Sequence, residues 1–377
     1  MRRTQSASKL QEKIINNLNY TMDTQLLNIA QHFALEGAIA SIDRLGEGFI
    51  NDTLTITMEG ASRPGYILQR KNHNIFKNVP AMMDNIYRVT NHIKAKVVAA
   101  GGDPMRETLT VVPTIDGKLY YKDGENYWTV CVFITDSVTH DRADTEELAY
   151  KGGEGLGLFQ SQLADFTEPL AETIPGFHNI RSRFEQWDEA LKRDAAGRVK
   201  DLAEEISWIE SRRAKMLDFW HLVETGELPM RVTHNDTKLS NVLFNKDDSV
   251  LCMIDLDTCM SSTALNDVGD ALRSYTNTGA EDDKDLDRVS MDIKIYKAYV
   301  SGYLSKMRPH LTPKEIEMLP FSGIYITFEQ VLRFLMDYID GDTYYRIAYP
   351  DHNLVRTRAQ YKLLTSMESQ WAEMQNI

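Results

Sequence analysis

The residues best suited to chemistry lie in one stretch, Arg231-Val232-Thr233-His234-Asn235-Asp236-Thr237-Lys238-Leu239-Ser240-Asn241-Val242-Leu243-Phe244, followed by Val250-Leu251-Cys252-Met253-Ile254-Asp255-Leu256-Asp257. Polar residues cluster there between two apolar, strand-like runs, which is how a loop hands side chains into a cleft. The spacing H-x-D-x-x-x-x-N, with a further Asp 19 residues after Asp236, matches the needs of phosphoryl transfer. One carboxylate must take the proton of the attacking hydroxyl. An Asn and a second Asp, presented from neighbouring strand ends, must hold a magnesium ion that bridges nucleotide phosphates. Asp236 is therefore expected to be the catalytic base, and Asn241 and Asp255 the metal ligands. Lys238 would lie near the transferring phosphoryl group and offset its charge. His234 is expected to hold the loop by hydrogen bonds.

Ile254-Asp255-Leu256-Asp257-Thr258 also fits the D-x-D-x-T nucleophile of haloacid-dehalogenase-type phosphatases. That fold places its nucleophile strand early and alternates strands with helices after it. Here the motif comes two-thirds of the way along, and mostly helical sequence follows. Asp257 is open between a further metal or acceptor ligand and a cap on local backbone.

A nucleotide needs its own cradle. Leu45-Gly46-Glu47-Gly48-Phe49-Ile50-Asn51-Asp52 lies between two strand candidates, and Gly46 and Gly48 would let backbone amides approach phosphates. An ordinary hairpin turn reads the same way, and Asn51 stands where a third glycine would be. In the third strand, Gln69 occupies the position at which V-A-I-K kinases carry lysine. Arg70 or Lys71 would reach the phosphates only in a different strand register, and Asp84 is the nearest acidic candidate for a partner on the following helix. A second glycine-rich run, Lys151 to Gly157, reads instead as a helix packed closely against its neighbours.

These groups need two kinds of scaffold. From about Ile39 to Thr135 the pattern is β-rich, with a helix over Met82–Val98 where Met82, Ile86, Val89, Ile93 and Val97 recur at intervals of three and four. Asp123-Gly124 marks a hairpin. After Thr135 the pattern turns helical: Asp144 followed by Glu147 predicts a helix start, and Thr312-Pro313-Lys314-Glu315 predicts another, with a capping box. The expected architecture is α+β and bilobal, like a protein kinase: a nucleotide-binding N-lobe over residues 25–135 and a helical C-lobe over 136–377 that carries the catalytic loop and acceptor site. The hinge at Phe133–Ser137 would bring Phe133 and Thr135, with Gln69 and Asn51, to the nucleotide.

A net charge of −13 and the lack of a dense Lys/Arg block argue against nucleic acid as a partner. The three cysteines show no metal-type spacing and give no disulfide framework, which suits a reducing compartment. No run approaches the about 20 apolar residues of a membrane span, and the first residues lack an apolar signal core. The expectation is a cytoplasmic protein without a membrane partner; the sequence does not set its oligomeric state.

With His234-x-Asp236-x-x-x-x-Asn241, Asp255 and Asn51 in hand, the chain resembles the aminoglycoside phosphotransferase and choline kinase superfamily. More narrowly, it is similar to bacterial N-acetylhexosamine 1-kinases. That likeness runs from about Asn28 and rests on His32-Phe33-Ala34-Leu35-Glu36-Gly37, Tyr66-Ile67-Leu68-Gln69, Arg231 to Leu243, Leu319-Pro320-Phe321-Ser322-Gly323, Arg333-Phe334-Leu335 and Asn353-Leu354-Val355-Arg356-Thr357-Arg358. The family also has Gln at the strand-three position. The resemblance implies transfer from ATP, with Mg, to the anomeric hydroxyl of GlcNAc or GalNAc, so the partners would be a sugar and a nucleotide. A sugar site needs planar and charged groups that make paired hydrogen bonds. Arg333 with Asp337 one helical turn on, Arg356 beside Asn353, and Arg273 three residues after Asp270 are candidates, unless they tie helices together; Phe49 would pack on the sugar or simply end a turn. Other acceptors stay open: an aminoglycoside, homoserine, or choline caged by Tyr338, Tyr344 and Tyr345. So does an inactive nucleotide-binding protein.

Overall fold

A computed structural model describes residues 24–45 and 51–377. They divide into two compact units with a boundary between Asp136 and Ser137.

The first unit opens with a helix over residues 24–30 (α1). Six strands follow, β1 (Ile39–Arg44), β2 (Asp52–Met58), β3 (Tyr66–Lys71), β4 (Val111–Val112), β5 (Tyr121–Asp123) and β6 (Asn126–Val132). They form one antiparallel sheet in the order β1-β2-β3-β6-β4, with β5 also paired to β6. Alternation assigns the faces. Leu54, Leu68 and Val130 align across three strands and are buried together with Ile56, Trp128, Ile29, Ala30 and Phe33. Thr53, Gln69 and Thr129 align one residue along, so they point to the opposite face. The predicted Asp123-Gly124 turn closes β5 onto β6, with Gly124 at φ 59°. Helix α2 (Val79–Ala99) buries Met82, Ile86, Val89, Ile93 and Val97, the row its periodicity predicts, and is capped by Asn78.

The second unit is mainly helical: α3 (Glu146–Gln162), α4 (Ile180–Arg193), α5 (Ala203–Glu210), α6 (Arg213–Glu224), α7 (Ala264–Tyr275), α8 (Ile293–Met307), α9 (Pro313–Ile339), α10 (His352–Ser369) and α11 (Trp371–Met374). Two small antiparallel sheets interrupt it. One orders β10 (Val250–Met253), β9 (Val242–Asn245) and β7 (Ser137–Val138); the other pairs β11 (Met260–Thr263) with β8 (Met230–Thr233). A β-rich first unit and a larger helical second one give the α+β division expected from the sequence. Boundaries differ: α2 starts three residues before, and ends one residue after, the expected Met82–Val98. Thr145, not Asp144, caps α3: its backbone is extended and its hydroxyl accepts from Leu148 N at 3.1 Å, leaving Glu146 and Glu147 in the first turn. The capping box of α9 forms as predicted, Thr312 and Glu315 each accepting from the other's backbone.

The glycine-rich run is structural. A Cβ on Gly153 or Gly157 of α3 would collide with the carbonyls of Tyr299 or Tyr303 on α8, and one on Gly302 with that of Tyr150. Only bare backbone permits so close a crossing.

Candidate active site

The stretch between β8 and β9 is fixed by one helix. Thr263 caps α7, and the first turns of that helix bring Asp267 and Asp270 beneath the loop. Asp267 is fully buried; it accepts from His234 N at 2.9 Å and Asn235 N at 2.7 Å, and Gln160 Nε2 donates to it at 2.8 Å. Burial pushes its carboxyl above the usual range, although those three donors work the other way. Asp270 accepts from Thr237 N at 2.8 Å. Burial opposes its charge too, yet Arg273 and His178 hold its carboxyl below the usual range. From the other side, Thr258 Oγ1 donates to His234 O at 2.6 Å, and Asn235 Nδ2 to Thr258 O at 2.9 Å. Asn235 sits at φ 64°, a left-handed conformation that Asn tolerates better than most residues. The backbone amides on both sides of Asp236 are thus tied to buried carboxylates.

That frame presents a half-buried Asp236. Its Oδ2 accepts from Lys238 Nζ at 3.0 Å and from Asn241 Nδ2 at 2.9 Å. Partial burial works against the Lys238 ammonium, but Asp236 first, then Asp255 and Asp270, hold it above the ordinary lysine range. His234 is the loop's fastener: Nε2 donates to Ile254 O at 2.8 Å, which leaves Nδ1 to accept from Asp236 N at 3.2 Å. Ile254 N in turn donates to Asn241 O at 2.9 Å. Asp255 therefore leaves β10 beside the loop, at φ 60° and exposed, while Asp257 is buried. A carboxylate beside an ammonium can take a proton from a hydroxyl, with the cation near the charge that develops. The side-chain oxygens of Asn241 and Asp255 are the hard donors that suit magnesium.

The profile of the phosphotransferase enzyme family matches residues 41–297. The chain belongs to this family. Solved structures share the fold at low identity. A microcompartment-associated aminopropanol kinase superposes with TM-score 0.62 at 15% identity, covering 93% of this chain and 98% of its own. A choline kinase from Cryptosporidium parvum gives 0.56 at 14%, covering 93% and 97%. A spectinomycin phosphotransferase in complex with ADP and spectinomycin gives 0.52 at 15%, covering 94% and 98%. The chain is thus a phosphotransferase with a kinase-like α+β fold, and the phosphatase reading of Asp255 falls. In this phosphotransferase Asp255 follows an antiparallel ribbon, β9 with β10, rather than a strand in a parallel series.

On the nucleotide side, Gly46, Gly48 and Phe49 lie outside the described residues. Asn51 is buried, and its Oδ1 accepts from Asn72 N at 3.0 Å, joining the start of β2 to the end of β3. Gln69 donates to Thr53 Oγ1 at 3.2 Å and accepts from Lys71 Nζ at 2.7 Å. In the observed register Lys71 shares the face of Gln69, and it is only 3% exposed. Arg70 turns to the opposite face and pairs with Asp52. Asp84 is exposed and pairs with Arg88 on its own helix, so it is no partner for β3. Phe133 N donates to Gly65 O at 2.9 Å, and the Thr135 carbonyl accepts from Arg106 at 2.6 Å.

Among the acceptor candidates, Arg273 bonds Asp270 at 3.2 Å and Glu281 at 2.8 Å, and its Nε is buried without a partner among the described residues. Burial works against its charge, but Glu281 and Asp270 hold the guanidinium above the usual arginine range. Arg333 forms no ion pair within 4.0 Å among the described residues; its guanidinium lies 5.4–5.9 Å from the ring centres of Phe177, Tyr345 and Tyr344. Arg356 donates to Asn353 Oδ1 at 2.9 Å and to Arg346 O at 3.3 Å. Asp337 corrects the expectation. It does not pair with Arg333, and its carboxylate is saturated by the backbone amides of Thr343, Tyr344 and Tyr345 and by Asn353 Nδ2, all within 2.7–2.9 Å. It fastens the loop after α9. Sequence reasoning also missed Asp267, whose only local signal is its place one turn before Asp270 behind an N-cap. It missed the buried His178–Glu329 pair as well, 2.7 Å apart and distant in sequence.

Proposed function

We propose that this phosphotransferase is a kinase that transfers the terminal phosphoryl group of ATP to the anomeric hydroxyl of an N-acetylhexosamine, GlcNAc or GalNAc, giving the sugar 1-phosphate. The observation that carries the kinase reading is the Asp236 carboxylate, held at 3.0 Å from Lys238 and 2.9 Å from Asn241 on a loop anchored by Asp267 and Asp270. An anomeric hydroxyl is more acidic than an ordinary alcohol, so a carboxylate suffices as its base. Asn241 and Asp255 would hold magnesium, which supplies charge neutralisation at the phosphates. Lys71, on the face that Gln69 also occupies, is the candidate cation for the nucleotide. Arg273 and Arg333 are the candidate donors to the acceptor. A cytoplasmic location, where ATP is abundant, suits this chemistry.

The narrower acceptor rests on the resemblance to N-acetylhexosamine 1-kinases. A choline-type acceptor is less well supported, because one ring of the cage it would need, Tyr338, is already covered by the Arg198 guanidinium at 4.1 Å. The test is coupled ADP release across free sugars, choline, homoserine and aminoglycosides. GlcNAc and GalNAc should exceed glucose and galactose by at least about 10-fold in kcat/KM, since a missing acetamido partner costs roughly 1–3 kcal/mol. Asp236→Asn should lose about 100- to 10,000-fold in turnover. Phosphorylation of choline or of a methyl glycoside, whose anomeric oxygen has no proton, would overturn the 1-kinase reading.

A further inference from the structure

The segment that leaves β6 is held at each residue. Phe133 N donates to Gly65 O at 2.9 Å, which extends the β3–β6 pairing by one bond. Ile134 is buried. Thr135 O accepts from Arg106 Nη1 at 2.6 Å, a part-buried, charge-assisted bond. Asp136, at φ 55°, pairs with Arg63 at 2.7 Å. Arg106 comes from a turn that fastens itself. After α2, Met105 N donates to Asp103 Oδ1 at 2.9 Å and Asp103 N to Glu107 Oε1 at 2.7 Å. The amides of Arg106 and Glu107 both reach Asp103 O, at 3.0 and 2.9 Å. Such reciprocal bonds fix a turn as a capping box fixes a helix end, so the arginine is presented from a set place.

These bonds leave a particular pair of groups unused. The Phe133 amide and the Thr135 carbonyl are taken, whereas the Phe133 carbonyl and the Thr135 amide have no hydrogen-bond partner among the described residues. The segment thus offers one acceptor and, two residues later, one donor. Adenine's pairing edge carries an amino donor beside a ring-nitrogen acceptor, which matches that order. Guanine reverses it, with a carbonyl acceptor beside an N–H donor. Guanine would need the Thr135 amide for its O6 and the Thr135 carbonyl for its N1–H. Arg106 holds that carbonyl, and a cation on an oxygen weakens it as acceptor for a second donor.

We propose that Arg106 is a positioning residue for nucleobase choice: by holding the Thr135 carbonyl it withholds the acceptor that guanine needs and leaves the pair that fits adenine. It acts through that carbonyl and not by contact with the base. The inference rests on the ATP reading under Proposed function and deepens it. Arg63 serves as the internal comparison, because it fastens the same segment one residue on without touching the carbonyl, in an exposed pair that contributes little. If the arginines only kept the segment in place, losing either one would weaken every nucleotide alike. If Arg106 sets the choice, its loss strengthens guanine binding, because a withheld acceptor becomes available.

Calorimetric titration of the full chain with ADP and with GDP, each with magnesium and without any sugar, tests this. The wild type should bind ADP at least about 10-fold more tightly than GDP, the usual worth of one mismatched base contact. Arg106→Ala should bring the two within about 3-fold, chiefly by tightening GDP. Arg106→Met, which keeps the length of the side chain, repeats the measurement should the alanine variant unfold. Arg106→Lys can still donate one bond to the carbonyl and should keep the preference for ADP, and Arg63→Ala should leave the ratio within about 2-fold of wild type. The proposal is overturned if the wild type binds both equally, if loss of Arg106 weakens both alike, or if Arg63→Ala shifts the ratio as far. In those cases ADP still binds and the ATP reading stands. If the wild type binds neither nucleotide, the ATP reading falls and this inference falls with it.

Discussion

Replacing Asp267 by Asn tests whether the loop, and not only its reactive side chains, sets activity. The substitution keeps shape and volume but turns one acceptor oxygen into a donor. Asp267 receives two hydrogen bonds on Oδ2, from His234 N and Gln160, and one on Oδ1, from Asn235 N. The best orientation of an Asn keeps its oxygen on the first pair and points its NH2 at Asn235 N. One buried backbone donor then loses its acceptor, at about 1–3 kcal/mol, and the remaining bonds lose their charge-assisted strength. Against this, the carboxylate is raised by burial in the wild type, so removing its charge returns part of its desolvation cost. A net destabilisation of about 1–3 kcal/mol is expected, well short of unfolding. Asp236 is next in the chain, and a displacement of a few tenths of an ångström there should lower kcat by about 10- to 100-fold with little change in the KM of the nucleotide. Urea unfolding followed by circular dichroism gives the first number, and ADP release gives the second. If stability falls as expected and kcat stays within about 2-fold of wild type, the loop tolerates the lost anchor and the positioning argument fails.

Asp255→Ala should abolish turnover at millimolar magnesium, because the metal would lose the carboxylate ligand proposed for it; full activity at ordinary magnesium would remove Asp255 from the site. Lys71→Met should raise the KM for ATP by about 10- to 100-fold and leave the acceptor KM alone, and an unchanged ATP KM would assign Lys71 to the fold. Glu329→Gln should show a pH-dependent loss of stability. Burial alone would raise the Glu329 carboxyl, but His178 and Arg183, with Arg333 behind, depress it strongly. Its folded value lies below the unfolded one of about 4.3, so its contribution is full above that pH and lost as the pH falls below it. Thermal melts should therefore show a loss of roughly 3–5 kcal/mol at pH 7 that shrinks in acid; a loss independent of pH would refute the ion pair as its cause.

Where a feature depends on neighbours in the chain, it was legible in the sequence. The α2 periodicity, the Thr312 capping box, the Asp123-Gly124 turn and the helix-packing glycines of α3 each follow from a few adjacent residues obeying backbone sterics. The same holds for the catalytic loop: the interval from Asp236 to Asn241 is short enough that one turn of chain brings the two side chains together. Even so, the helix start at Thr145 was missed by one residue, because Asp144 and Thr145 are both good caps and only the backbone path selects between them.

The rest depends on contacts between distant segments. Asp337 reads in sequence as a partner for Arg333, one turn away on the same helix. In the fold three amides of the following loop and Asn353 of α10 reach its carboxylate first, and Arg333 turns to aromatic rings. Lys71 is a surface-type residue by composition; its burial and its bond to Gln69 follow from strand pairing. Glu329 and His178 are separated by most of the second unit, and no local pattern joins them. Which groups suit phosphoryl chemistry is readable from the chain alone, since that chemistry requires residue types at short, fixed intervals. What surrounds each group was decided by packing, since burial and charge act through space on whatever side chains distant segments bring within a few ångströms.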